Sequence, residues 1–423
     1  MNPRIRANSR KLAVQVILVG LLGMTTLGSA QQKITIVHWQ HHYAAREAVV
    51  KQLISEFEAT HPDIRIDFQS IPYGDYFQKI GPSLEAGTGP DVFQIPGPQV
   101  YEFYSRGQLA PVPADVYATE ELEADFVPWT IQLLKHDGQY VGLPTDVQLL
   151  LLFYNDALFE EAGLDPSVSF ASLDELQAAA SSLTKVSGNR LAQAGINLTY
   201  SPYQWYWNYL TTLHDLGAVD EQTLSVTYDD ASGVAWWRWF TDLITVHHID
   251  DPEFLAGQDK FAVGLAGMDL HEFTYAGNLA QLNPDLEYSL HLPPPAPGRP
   301  EGAAGTHWAY VVSAQSPKTE AAWEWVKFLT SEAAQREWVA DGGELPSRIS
   351  LYDDPELRSS PTTAFALDAM TKAVPYDAIG WDDVYAIQQN IWETIVLQGK
   401  DVADAVAKGA ADEEALYREK QRE

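Results

Sequence analysis

The 423-residue chain contains no cysteine. That excludes a disulfide framework, a thiolate nucleophile, an iron–sulfur cluster and a lipid-modified N-terminal cysteine. Positive charge is scarce: 27 Lys and Arg stand against 58 Asp and Glu, a formal net charge of −31. So acidic a chain is a poor partner for nucleic acid, whose phosphates want a basic face. No Gly-rich phosphate loop, Gly-x-Ser-x-Gly elbow or Ser-x-x-Lys occurs. His271-Glu272 fails the His-Glu-x-x-His zinc pattern because Tyr275 stands in the fifth position. What abounds is aromatic, with 13 Trp and 20 Tyr. A chain that is 46% hydrophobic and 20% charged is expected to fold as about two or three domain-sized cores.

The N-terminus reads as an address. Arg4, Arg6, Arg10 and Lys11 precede an apolar run from Leu12 to Met24, and small residues Gly28 and Ala30 follow. This order marks a secretory signal peptide over residues 1–30, and the run is short of the ~20 residues of a membrane span. An uncleaved anchor is the alternative. No later segment is long and apolar enough to cross a bilayer, so an exported, soluble mature protein is expected.

Residues 33–39 alternate as a strand. Val50, Leu53, Ile54 and Phe57 give 44–60 a helical stripe, which His61-Pro62 ends. A strand from Ile64, a helix over 76–86 and a strand over 91–95 complete a β-α-β-α-β order, so an α/β fold with a mostly parallel sheet is expected. Residues 148–154 read as a buried strand. Ser172 caps a predicted helix over 172–184, and Ser316-Pro317 opens another. Later helices are expected around Val384–Ile395 and over 403–422. Asp91 is read as structural, capping backbone amides at the entry to its strand.

Four stretches then carry a resemblance: Ile34–Trp39 with Phe57-Glu58-Ala59-Thr60-His61-Pro62-Asp63-Ile64; Gly87-Thr88-Gly89-Pro90-Asp91-Val92; Gly142-Leu143-Pro144-Thr145-Asp146 through Tyr154-Asn155-Asp156-Ala157-Leu158-Phe159; and Ala321–Ser331 with Gly343-Glu344-Leu345-Pro346-Ser347-Arg348. Together, in this order, they resemble the extracellular solute-binding proteins (family 1) of sugar-type ABC importers, the maltose-binding-protein-like group. The resemblance implies a two-lobed periplasmic binding fold of type II character. Each lobe would be a mostly parallel sheet flanked by helices, with a hinge between the lobes. Lobe 1 is expected over 31–143 and 269–314, lobe 2 over 144–268 and 315–423. The implied activity is non-catalytic. A monomeric periplasmic protein would capture a neutral sugar in the interlobe cleft, close by hinge motion and deliver it to inner-membrane permease subunits. Neither metal nor cofactor is implied.

A sugar binder needs flat aromatics to stack on C–H faces, and polar side chains that hydrogen-bond hydroxyls. The resemblance places Trp39, His41 and Tyr43 in a cleft-facing loop after the first strand. Tyr73 follows the second strand, and Gln94 lies at the carboxyl end of the third, where open α/β sheets bind ligands. Asp146 and Trp308 sit at lobe crossings, Arg348 in the Leu-Pro-x-Arg motif. Trp205 comes from an aromatic helix and Trp381 from a C-terminal loop. Glu272 falls in a polar loop after Leu265-Ala266-Gly267-Met268, where the family has small residues, and is the expected specificity determinant. Each has a structural alternative: Trp39 as a core aromatic, Tyr73 as turn packing, Gln94 as a polar edge residue, Asp146 as a hinge cap, Arg348 as a salt bridge holding lobe 2. A secreted glycoside hydrolase, with paired carboxylates, is the enzyme alternative. Binders of a polyol phosphate or of a metal are the others. For a metal, strand alternation separates His38 from His41.

Overall fold

The computed structural model describes residues 33–199, 209, 212–214, 219–220, 225–375 and 381–420. Its opening follows the apolar pattern closely. Strand β1 (Ile34–His41) leads through helix α1 (Ala44–Thr60) to β2 (Ile64–Ile71), then through α2 (Tyr73–Glu85) to β3 (Val92–Pro96). α1 buries Val50, Leu53 and Phe57 of the predicted stripe and adds Val49, while Ile54 is only partly buried. β1 lies parallel to both β2 and β3. Asp91 fixes the entry to β3 as expected: its carboxylate accepts from the Val37 amide at 2.8 Å, from the Ser316 hydroxyl at 2.6 Å and from Lys318 Nζ at 2.9 Å.

The rest of the sheet is built on β4 (Leu143–Asn155), a strand buried along all thirteen residues. Its first half pairs antiparallel with β8 (Ala303–Val312), its second half with β6 (Ala266–Glu272). β6 pairs in parallel with β5 (Arg190–Asn197), and β7 (Tyr288–His291) pairs antiparallel with β4. The path β2-β1-β3-β8-β4-β6-β5 is therefore one continuous sheet. The parallel ladders of β1 fit the expectation for the first half. In the second half β5–β6 is parallel and residues 373–375 join the start of β8 in parallel, whereas β4 runs antiparallel to β6, β7 and β8.

The two faces of β4 divide the cores. Leu150, Leu152 and Tyr154 enter a cluster with α3 (Leu173–Leu183), α4 (Ala231–Thr245), α8 (Trp381–Val396) and α9 (Val402–Lys420). Val147, Leu149, Leu151 and Phe153 enter another with Leu345, Ala366 and Met370. The first lobe has its own cluster, in which Phe57, Phe93 and Tyr310 meet Trp323, Trp325 and Trp338. Those tryptophans lie on α6 (Thr319–Leu329) and α7 (Glu332–Ala340). Each such side chain, fully buried, contributes about 1.5–3 kcal/mol.

This packing corrects the expected lobe boundaries. Residues 319–340 belong with the first lobe, since their apolar stripe seals the β1–β3 sheet. Residues 266–291 belong with the second: Met268 and Leu270 pack beside Tyr154 and Ile196, and Leu290 joins Phe153 and Phe261. Two local readings also change. Ser172 caps α3 as expected, accepting from the Glu175 amide at 3.2 Å. Ser316, by contrast, serves Asp91 and the Lys318 amide, and α6 starts later, at Thr319. Trp381 is the first residue of α8 and not a loop residue.

Candidate functional site

The carboxyl ends of β1 and β3 meet under α2. Tyr76, fully buried, donates its hydroxyl to the Gln94 carbonyl at 2.6 Å and accepts from the Gln94 amide at 3.1 Å, pinning the end of β3. Above this clamp, four rings face one another. His41 stacks on Trp308 with centroids 4.3 Å apart and 29° between planes. Tyr73 meets His41 edge-on at 5.6 Å and Phe77 at 5.4 Å. Tyr73 stays 44% exposed, so the group opens to solvent on one side. Gln94 is fully buried beside His41. Burial, then the charge of Arg46, hold the His41 imidazole neutral, well below the usual histidine range.

Trp308 owes its position to a bulge. β8 and β4 slip register between Trp308 and Ala309, which sets Asp146 opposite Trp308 while Ala309 pairs with Pro144. Under the ring lies a buried ionic cluster. Arg46, from the first turn of α1, is 3% exposed. Its Nη2 is 3.0 Å from Asp146 Oδ1, its Nε donates to Glu344 Oε1 at 2.6 Å, and its guanidinium carbon is 5.9 Å from the Trp308 ring centre. Thr145 Oγ1 and Gln148 Nε2 donate to the Asp146 carboxylate at 2.5 and 2.8 Å. Tyr310, next along β8, donates to Gln40 Oε1 at 2.7 Å.

The second lobe adds Glu272, the last residue of β6. It is in a strand, not the loop the sequence suggests, because β6 pairs with β4 as far as Glu272–Leu150. One guanidinium cannot balance three carboxylates. Burial and Asp146 push Glu272 up to about 7 against the pull of Arg46; burial, offset in part by Arg46, pushes Glu344 up to about 8. Tyr43 closes the edge. Its hydroxyl lies 3.2 Å from Asn278 Oδ1 of α5 (Tyr275–Leu282) and 3.3 Å from the Thr274 carbonyl, and burial, then Glu344, raise it to about 12.

His41, Tyr43, Tyr73, Gln94, Asp146, Glu272 and Trp308 thus gather in one place. Trp39 does not: its ring is buried in the first core, with Lys79 Nζ 4.2 Å from its centre. Arg348 does not either. Its guanidinium is taken by the Thr330 carbonyl at 2.6 Å, Tyr117 Oη at 2.7 Å and Asp125 at 2.9 Å, so it braces the first lobe rather than the second. Trp205 lies outside the described residues. As strand alternation requires, His38 faces away from His41; its Nδ1 accepts from Trp325 Nε1 at 3.2 Å. Arg46 and Glu344 were not among the sequence candidates. The available signal was a basic residue in the first turn of α1, where the macrodipole disfavours one.

A bilobal α/β sheet with a site at strand carboxyl ends defines a solute-binding class of protein, and the comparisons agree. Residues 42–336 match the family model of bacterial extracellular solute-binding proteins; the chain belongs to that family, whose maltose-binding-protein-like members serve ABC transporters. A binding protein of Brucella abortus is 26% identical over 361 residues, 84% of this chain and 86% of the relative. A maltotriose-binding protein of Pyrococcus abyssi is 22% identical over 330 residues, 77% and 69% of the two chains. Among solved structures, a Thermotoga lettingae ABC-transporter solute-binding protein bound to α-D-tagatose has a TM-score of 0.78 at 23% identity, covering 91% of this chain and all of that one.

Proposed function

We propose that this protein is the non-catalytic receptor of an ABC importer, exported to the periplasm, where it captures a sugar between its lobes and hands it to the permease. The observation that carries this reading is the Trp308–His41 stack above Arg46, Asp146 and Glu344. It offers a flat apolar face beside convergent hydrogen-bonding groups, which is what a pyranose ring requires. Glu272 adds a contact from the opposite lobe. A ligand touching both lobes favours the closed form only by its differential affinity for it, and the permease then reads the closed shape. The sugar-binding names among the relatives support the same class. The protein acts as a monomer with no metal or cofactor, and its leader is removed after Ala30.

Calorimetric titration with mono- and oligosaccharides tests this. Micromolar or tighter binding of one sugar class is expected, without release of reducing ends. Trp308→Ala should weaken it about tenfold or more, the loss of one stacking face. Silence across the panel, or turnover of a bound oligosaccharide, would overturn the reading.

A further inference from the structure

The polar groups under Trp308 are unequal in kind. Glu344 Oε2 and Gln148 Oε1 are buried with no partner, as are the donors Arg46 Nη1, Gln40 Nε2 and Gln94 Nε2 around them. No donor among the described residues reaches the Glu272 carboxylate. The Asp146 carboxylate already accepts from Thr145 and Gln148 and pairs with Arg46. The internal stretches outside the described residues, 200–208, 210–211, 215–218, 221–224 and 376–380, contain no Lys, Arg or His. With Asp146, Glu344 and Glu272 set against the one guanidinium of Arg46, the site is short of positive charge, with an aromatic wall on one side.

A sugar hydroxyl brings one donor and two acceptors to such a place. An ammonium brings three donors, no acceptor and the missing charge, and it gains from an aromatic face nearby. Resting on the sugar-receptor reading above, we infer that the preferred ligand is a saccharide carrying a basic nitrogen, with Glu272 receiving the ammonium. Glu272 would then set specificity by charge, and it does so from the lobe that must close for the contact to form.

Matched pairs test this with the whole exported protein. Calorimetry would compare glucose with glucosamine, cellobiose with the disaccharide of glucosamine, and cellotriose with its trisaccharide. The N-acetylated sugars serve as bulky neutral controls. The amine member of at least one pair should bind ten times tighter than both its hydroxyl and its acetylated counterpart. In Glu272→Gln that ratio should fall to within about threefold, and raising salt should narrow it in the wild type. A circular-dichroism melt would confirm that the variant is folded. If Glu272→Gln fails to fold, Glu272→Asp should retain the sign of the preference with a smaller ratio; loss of the sign would overturn the inference. Equal or weaker binding of the amine sugars, with neutral sugars bound, would overturn this inference and leave the receptor reading standing. Failure of every saccharide would sink both.

Discussion

Arg46 sits where removing it leaves two carboxylates buried without a cation. Breaking a buried pair from one side costs about 3–5 kcal/mol, so Arg46→Leu should lose about that much in urea unfolding. Arg46→Lys should recover only part of it, since an ammonium cannot reproduce the guanidinium fork. The protonation of Glu344 gives a second test. Its folded value, about 8, lies above the ordinary carboxylate value of an unfolded chain. Its stabilising contribution is therefore complete below about pH 4.5 and lost as pH rises through about 8. Measured by denaturant unfolding, the stability of wild type relative to Glu344→Gln should decline across that window; an increase would show that Glu344 is held ionised. Neither residue stood out in the sequence. A lone arginine at the start of α1 and a glutamate after Gly343 look like solvated charges, and only the fold, which brings Arg46 onto Asp146 and Glu344, buries them. Trp308, His41 and Asp146 were named because the motifs that resemble the solute-binding family imply a cleft at those positions.

β3 ends on Pro96, and the chain turns at Gly97 directly against His307 of β8. A methyl group at Gly97 would come within 2.0 Å of His307 Cε1. The imidazole cannot swing aside easily, because it is fully buried and meets Trp129 edge-on at 5.7 Å. Gly97→Ala should therefore lower stability by about 1–3 kcal/mol, read as a lower melting temperature, whereas Gly107→Ala tests only backbone conformation at a positive φ with open space around it. The first five elements were readable from the chain because Pro62 and Gly87 punctuate them; α1 falls where expected, whereas α2 starts at Tyr73 rather than Tyr76 and so takes Tyr73 out of the expected loop. Glu272 was misplaced as a loop residue because β6 is identified by its partners, β4 and β5, and its short polar sequence Asp269-Leu270-His271-Glu272 has no strong period of its own. The start of α6 was misread for a related reason: Ser316 is drawn away from capping by Asp91, 225 positions earlier.

With 58 acidic and 27 basic side chains, the folded protein repels itself. Raising NaCl from about 20 to about 500 mM shortens the screening length severalfold and should lift the melting temperature by a few degrees; no change would mean that the charges are too dispersed to matter. A bound ligand should add to this, by about 2.7 kcal/mol at a hundredfold excess over its dissociation constant. The two-lobed plan was legible from motif order, but the lobe boundaries were not, since a helix shows that it has an apolar stripe and not which sheet it covers. The tryptophans of α6 and α7 settle that by packing with β1 and β3. This interleaving bears on ancestry. The first core draws on residues 36–143 and 309–338, and the second mainly on 150–304 and 384–417. No single crossover within these ranges separates the two cores, because each break leaves at least one core assembled from two parents. New specificities in this lineage are thus expected to arise by substitution within the cleft, because exchange of a lobe would need three coordinated breakpoints, near 143/150, 304/309 and 338/384.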